Sequence, residues 1–121
     1  MTLVDTSVWV QHLRYDNAEL RRLLEGGEVL CHPLIVGELA CGSIANRIEI
    51  LELLSTLPAA SIADHDEVLH FLNEKRLYGK GLGWVDVHLL ASAALAGVEL
   101  WTRDGALKKA AEQLGSKRSS G

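Results

Sequence analysis

Four acidic residues spread along the chain could together bind a divalent metal ion: Asp5, Glu38, Asp86 and Asp104. In parallel α/β sheets, ligand sites form beyond the carboxyl ends of the strands, where loops and helix starts converge. Carboxylate oxygens without a cysteine or histidine cluster select hard cations such as Mg²⁺ or Mn²⁺ rather than zinc. A metal ion held in this way can polarise a phosphodiester oxygen and activate water, so the residues predict phosphate chemistry.

Asp5 and Asp104 each follow a predicted strand. Residues 2–4 form a short apolar run typical of a buried strand, which places Asp5 at its carboxyl end. Residues 98–102 predict another strand, and Asp104 lies in the loop after it. Further strands are predicted over 28–32 and 59–63. Because the strands alternate with helices, the sequence predicts an α/β fold with a parallel sheet covered on both faces.

Glu38 and Asp86 lie in predicted helices. Pro33 suits the first turn of a helix, where N–H groups are spare, so Glu38 falls in the second turn. Asp86 lies at the start of a helix over 84–96, directly after a glycine-rich loop. That helix is almost wholly apolar and contains no Lys or Arg, and an unpaired carboxylate buried there is costly. A cation from outside the helix is therefore expected at Asp86.

The other helices follow from apolar residues at helical spacing. Two short helices are predicted on either side of 15–17, with the second ending at Gly26. An apolar stripe over 44–54 predicts a further helix that ends before Pro58. Residues 66–77 have acids at the start and bases at the end, which complements a helix dipole. These apolar stripes could serve the core, a partner protein or a second copy of the chain, and a homodimer is predicted.

The composition is that of one folded domain. The chain has 121 residues, 48% of them hydrophobic and 23% charged, which fits a globular protein with a sizeable core. We predict one domain over residues 1–115 and a polar, disordered tail over 116–121. The longest run without Asp, Glu, Lys or Arg spans 87–98 and is shorter than the roughly 20 apolar residues that cross a bilayer.

A cytoplasmic location is predicted from the N-terminus and the cysteines. Asp5 stands where a signal peptide would have a basic and then an apolar region. Cys31 and Cys41 fit neither a disulfide framework nor a CxxC motif, so both are predicted to be reduced and half-buried. The five histidines show no metal-binding spacing and are predicted to be surface or boundary residues.

The net charge limits how the protein could bind nucleic acid. A charge of -4 argues against binding by bulk electrostatics, which usually needs a strongly basic face. An acidic protein can still cleave RNA where divalent metal neutralises the site. The acidic balance also suits a basic protein partner.

The motifs around the four acids resemble those of PIN domains in order and spacing, from Met1 to about Leu114. They are Val4-Asp5-Thr6-Ser7-Val8-Trp9, Val36-Gly37-Glu38-Leu39, Trp84-Val85-Asp86 followed by Leu89-Leu90-Ala91-Ser92-Ala93, and Thr102-Arg103-Asp104. The resemblance implies a three-layer α/β/α sandwich and an Mg²⁺-dependent endoribonuclease. The short single domain is similar to VapC-like toxins, which implies a VapB-like antitoxin that blocks the site. Leu107 and His88 depart from the family pattern without removing a ligand.

Four residues beside the acids could support the site. Thr6, Ser7 and Thr102 could orient ligands or water, or could simply cap helices and satisfy backbone groups. Arg103, next to Asp104, is the better candidate for binding an RNA phosphate. Three other bases, Lys75, Arg76 and Lys80, could also bind phosphates, but a basic helix end is the commoner explanation.

Two other functions compete with RNA cleavage. An aspartyl-phosphate phosphotransferase would use an acid at the end of a strand, as Asp5 is, as its nucleophile. Such enzymes usually have a second Asp two residues later, where this chain has Ser7. A non-catalytic module, in which the acids bind only an antitoxin's Arg or a structural ion, is the second alternative.

Overall fold

Three parallel strands form the sheet in the computed structural model, which describes residues 1–116. They are β1 (Thr2–Val4), β2 (Val29–Leu30) and β3 (Glu99–Trp101), with β1 in the middle. Leu3 of β1 pairs with Leu30 on one side and with Leu100 on the other. The helices of these residues are α1 (Thr6–Tyr15), α2 (Ala18–Glu25), α3 (Pro33–Cys41), α4 (Arg47–Thr56), α5 (His65–Glu74), α6 (Trp84–Ala96) and α7 (Gly105–Gln113).

The hydrophobic core lies between the sheet and the helices, and the fold is the predicted α/β/α sandwich with a parallel sheet. Leu3 and Val4 of the central strand are fully buried. Six of the 13 residues of α6 are buried, more than in any other helix of the described chain. The apolar sequence of α6 explains this burial, because nearly every side of the helix can face the core.

The strand order places a ligand site at the end of β1. From β1 the chain crosses to β2 on one side, and β3 later pairs on the other side. The connections therefore diverge at the carboxyl end of β1, which is the position where open α/β sheets bind ligands. The N–H of Asp5 donates to the Trp101 carbonyl at 2.9 Å, so the β1–β3 pairing continues to this edge.

Local sequence explains where several helices begin. Pro33 occupies the first turn of α3, as predicted. A capping box between Asp64 and Glu67 starts α5, with each side chain accepting from the other residue's backbone N–H. Gly97, in the left-handed region at φ 66°, ends α6.

The strand predicted over 59–63 does not form. Ala59 makes one parallel bridge with Cys31, held by two backbone hydrogen bonds, and no ladder follows. Helices limit the pairing on both sides, because Cys31 is followed directly by His32, the N-cap of α3, and Ala59 lies two residues after Leu57, the C-cap of α4. The apolar stripe over 44–54 is also only partly realised, since Ile44 precedes α4 and the Ile48 side chain is 70% exposed.

The cysteine and histidine predictions need correction. Cys31 is buried and Cys41 is exposed, so neither is half-buried, although both are free thiols. His32 is 2% exposed, because it caps the start of α3 inside the core by accepting from the Leu34 N–H. His88 packs its ring edge-on against Trp84, with the ring centroids 4.9 Å apart.

The predicted tail, 116–121, lies outside the described residues apart from Ser116. The Ser116 hydroxyl accepts a hydrogen bond from the N–H of Leu100 at 3.1 Å, so the described fold reaches at least this residue. Within the described part of the chain, no helix is long and apolar enough to cross a membrane.

Candidate active site

Asp5 is the most buried of the four predicted acids. It follows β1 and is 6% exposed. Its Oδ2 accepts hydrogen bonds from the hydroxyls of Ser7, at 2.8 Å, and Thr102, at 2.7 Å. Hydrogen bonds to an ionised carboxylate are stronger than neutral ones, so these two hydroxyls hold the charged form in a fixed orientation.

The same two hydroxyls connect β1 to the loop after β3. Ser7 Oγ accepts from the N–H of Arg103 at 2.9 Å, and Thr102 Oγ1 accepts from the N–H of Asp104 at 3.0 Å. The two hydroxyl oxygens are 3.3 Å apart. Since each hydroxyl has a single proton and donates it to Asp5, this approach is a contact and not a further hydrogen bond. Asp5 and Asp104 are thus joined through one polar network.

Glu38 enters the site from the exposed side. It lies in the second turn of α3, as predicted, and its Oε1 accepts from the hydroxyl of Thr6 at 2.6 Å. Thr6 is the first residue of α1, which packs against α3. The bond spans 32 positions of sequence, so it brings Glu38 next to the Asp5 segment.

Asp86 lies in the first turn of α6 and accepts through Oδ2 from the N–H of Gly83 at 2.9 Å. Burial raises the pKa of the Asp86 carboxyl, the Gly83 N–H lowers it, and the carboxylates of Asp5 and Asp104 raise it further. Asp5 and Asp104 therefore each lie close enough to Asp86 for their charges to repel its ionised form. The predicted convergence of strand ends and the α6 start is therefore present.

Asp104 caps α7. Its Oδ1 accepts from the N–H of Leu107 at 2.9 Å, which is the usual role of an N-cap carboxylate. The residue is exposed, as is its neighbour Arg103. The capping role does not use Oδ2, so it is compatible with a second role in the site.

One oxygen of each acid is held by the protein and the other is not. The held oxygens are Asp5 Oδ2, Glu38 Oε1, Asp86 Oδ2 and Asp104 Oδ1. Within residues 1–116, the second oxygen of each accepts no hydrogen bond, and none of the ion pairs there includes these acids. Four carboxylates are thus oriented, each with a second oxygen that residues 1–116 leave unbonded, and no cation of those residues forms an ion pair with them.

A divalent metal fits this donor set with one restriction. In the described chain, no group of three His, Cys, Asp or Glu side chains is arranged to hold a metal ion directly. Mg²⁺ loses its water reluctantly and is often held by one or two carboxylates plus several waters. The all-oxygen chemistry and the repulsion at Asp86 fit such a hydrated ion.

Three of the predicted supporting residues donate a side-chain hydrogen bond to one of the four acids: Thr6, Ser7 and Thr102. The fourth, Arg103, takes part in the network only through its backbone N–H. The N–H of Gly83 is a contact that residue-type reasoning missed. A glycine three residues before an acid at a helix start is the pattern of a cap, and it could have indicated this bond.

Comparisons with known proteins agree with the geometry. The PIN-domain family matches residues 2–113. Ribonuclease VapC32, from two strains of Mycobacterium tuberculosis, is 51% identical over 116 residues, which are 95% of this chain and 94% of the relative.

The solved structure of PAE2754 from Pyrobaculum aerophilum covers 92% of this chain and 79% of its own, with a TM-score of 0.60 and 20% identity. At that identity it supports the fold alone. The family match and the identity to a curated ribonuclease go further, and they show that the chain belongs to the PIN-domain family and to its VapC-like ribonucleases.

Proposed function

We propose that this VapC-like ribonuclease hydrolyses RNA phosphodiester bonds at Asp5, Glu38, Asp86 and Asp104, with Mg²⁺ as the bound metal and Mn²⁺ as a substitute. The observation that carries the proposal is that each acid is anchored through one oxygen, while its other oxygen has no hydrogen-bond partner among the described residues. VapC-type PIN ribonucleases generally depend on a divalent metal, and an all-oxygen set favours these two ions.

When bound, the metal would lower the pKa of a water and polarise a phosphate oxygen. The chain's own residues supply orientation. Thr102 and Ser7 fix the Asp5 carboxylate, and Thr6 fixes that of Glu38. Holding reacting groups in place removes part of the entropic barrier, so these hydroxyls are positioning residues. Arg103 is exposed beside Asp104, where its guanidinium could meet an RNA phosphate.

The biological role we propose is that of the toxin in a VapBC-like pair. The relative is named Ribonuclease VapC32, and the four acids, which form no ion pair within residues 1–116, offer a VapB-like antitoxin an anionic site. A basic antitoxin side chain inserted there would neutralise carboxylates and exclude the metal. We further propose that the protein acts in the cytoplasm as a homodimer, which would use apolar side chains on its helices such as Ile48 and Leu95, both more than half exposed.

The aspartyl-phosphate alternative is disfavoured by the surroundings of Asp5. Such enzymes usually have a second Asp two residues after the nucleophile, but here that position is Ser7, whose hydroxyl donates to Asp5 Oδ2 at 2.8 Å. No bond from a described residue favours a phosphotransfer reaction over hydrolysis.

Cleavage of RNA by the purified protein, in Mg²⁺ and in EDTA, tests the proposal. We expect cleavage in Mg²⁺ or Mn²⁺, none in EDTA, and loss of activity in Asp5→Asn. Glu112→Gln, an exposed acid on α7, is the matched control and should cleave like the wild type. Full activity in EDTA would refute the metal site, and activity in Asp5→Asn would refute the assignment of residues.

A further inference from the structure

A small cavity lined by two lysines lies beside the candidate site. It has a volume of about 220 Å³ and is lined by Lys80, Ala106, Lys109, Ala110 and Gln113. The lining residues from α7 follow one another at helical spacing, so they form one face of that helix. Lys80 faces them from the loop that precedes α6. The cavity is therefore formed between two segments that each lead to a site acid.

The loop presents Lys80 in a defined position. Gly79 and Gly81, on either side of it, have φ angles of 70° and 76°, in the region that favours glycine. A Cβ on Gly81 would lie 3.8 Å from the Cβ of Ala106, which shows that the loop packs against α7. The backbone at Gly79 and Gly81 would be strained with any other residue type, so these glycines allow the turn that places Lys80 at the cavity.

The cavity is close to the acids. One residue, Leu82, separates Gly81 from Gly83, whose N–H donates to Asp86. Lys109 is five residues after Asp104, or about 7.5 Å along a helix axis. A polyanion bound across the site would pass the lysines within a short distance of the carboxylates.

The two ammonium groups have no acidic partner within the described residues. The protein as a whole carries a net charge of -4, but these two lysines place two positive charges at one cavity. Phosphate groups of a nucleic-acid backbone are the ligands that such isolated lysines bind as point charges.

We propose that Lys80 and Lys109 bind a backbone phosphate of the single-stranded RNA substrate, next to the phosphate that is cleaved. The inference rests on the proposed function, since it requires RNA to be the substrate. It adds a subsite that offsets the repulsion between the carboxylates and the RNA backbone. Contacts of this kind give affinity and register without reading the base sequence.

The test measures binding and cleavage of a short single-stranded RNA of mixed sequence by the Lys80→Gln/Lys109→Gln double variant. We expect KM to rise with kcat nearly unchanged, because the lysines would contact ground state and transition state alike. Lys80→Arg/Lys109→Arg should retain binding. Lys75→Gln, at the end of α5 and outside the cavity, is the matched control and should behave like the wild type.

Salt dependence distinguishes phosphate binding from a structural effect. For single-stranded nucleic acid, each neutralised phosphate contributes about 0.7 to the slope of log K against log salt, so losing the one proposed phosphate contact lowers the slope by about 0.7. Between about 50 and 200 mM salt, the advantage of wild type over the double variant should then shrink roughly 2.6-fold.

Each outcome has one meaning. If the wild type cleaves RNA and the double variant has the same KM and the same salt slope, the lysine subsite is wrong. The proposed function is then unaffected. An equal loss in Lys75→Gln also overturns the lysine subsite, because the effect would then be general charge. A wild type that does not cleave RNA in Mg²⁺ refutes the proposed function itself. If the double variant loses antitoxin binding and keeps its affinity for RNA, the cavity binds protein and the inference is wrong.

Discussion

Replacing Thr102 by valine tests whether the hydroxyl network holds the site together. Thr102 is 3% exposed, donates to Asp5 Oδ2 at 2.7 Å and accepts from the Asp104 N–H at 3.0 Å. Valine has nearly the same shape but no hydroxyl, so Thr102→Val removes both bonds with little change in packing. The Asp104 N–H and part of the Asp5 charge would then lack their partner.

The two lost bonds set the size of the effect. The bond to the carboxylate contributes about 1.5–3 kcal/mol and the neutral bond about 0.5–1.5 kcal/mol. The added methyl group of valine offsets about 0.8 kcal/mol by its burial. The net loss in free energy of unfolding is therefore about 1.2–3.7 kcal/mol, which for a domain of this size lowers Tm by roughly 5–15 °C.

Thermal melts and RNA cleavage should be measured on the same preparations. Thr102→Ser keeps the hydroxyl and should stay close to the wild type in both assays. Because the stronger bond depends on the charge of Asp5, Thr102→Val should cost less in an Asp5→Asn background, with a coupling of about 0.5–3 kcal/mol. A Thr102→Val protein that melts and cleaves like the wild type would refute the network, and strict additivity with Asp5→Asn would refute its charge-assisted part.

Two further substitutions use the pKa shifts of the structure. The pKa of Asp86 is raised by burial, and further by the carboxylates of Asp5 and Asp104, so its ionised form destabilises the metal-free protein at neutral pH. Asp86→Asn should therefore melt at the same temperature as the wild type or higher in EDTA, gain less from Mg²⁺ and lose RNA cleavage. A variant that melts well below wild type in EDTA and still cleaves RNA would make Asp86 structural. Burial lowers the pKa of His32, and repulsion by His88 lowers it further. As pH falls below about 6.5, His32 is therefore protonated in the unfolded chain before it is protonated in the folded protein, and the free energy of unfolding decreases. The variant His32→Asn can still accept from the Leu34 N–H. In urea titrations, its free energy of unfolding should decrease less than that of the wild type between about pH 7.5 and 5.5, and equal decreases would contradict the role of His32 in this pH dependence.

The strand ends and helix starts were accessible from sequence because their signals are local. The apolar run before Asp5 predicted β1, and Pro33 predicted the start of α3, which places Glu38. The apolar segment after Asp86 predicted α6 over the same bounds that the structure has. Once strands and helices alternate, the parallel sheet and the convergence of the acids follow from topology.

The features that sequence reasoning missed depend on contacts between distant segments. Thr102 and Asp5 are 97 positions apart, and only the pairing of β1 with β3 brings them together. His32 has no local signal for burial, because its place in the core follows from β2 leading directly into α3. The segment at Ala59 has strand-like composition, but the helices that limit the pairing on both sides leave it a single bridge to Cys31.

The burial of Asp5 explains why two hydroxyl groups donate hydrogen bonds to this one carboxylate. A charge that is 6% exposed loses most of its hydration, and within residues 1–116 no lysine or arginine forms an ion pair with it. Two hydroxyl donors recover only part of that loss, and both act on Oδ2. A positively charged ligand that contacts Oδ1 would therefore interact favourably with the Asp5 carboxylate. Such a ligand would stabilise the folded protein by an amount that grows with the logarithm of its affinity, so binding at this edge of the sheet and global stability should rise together.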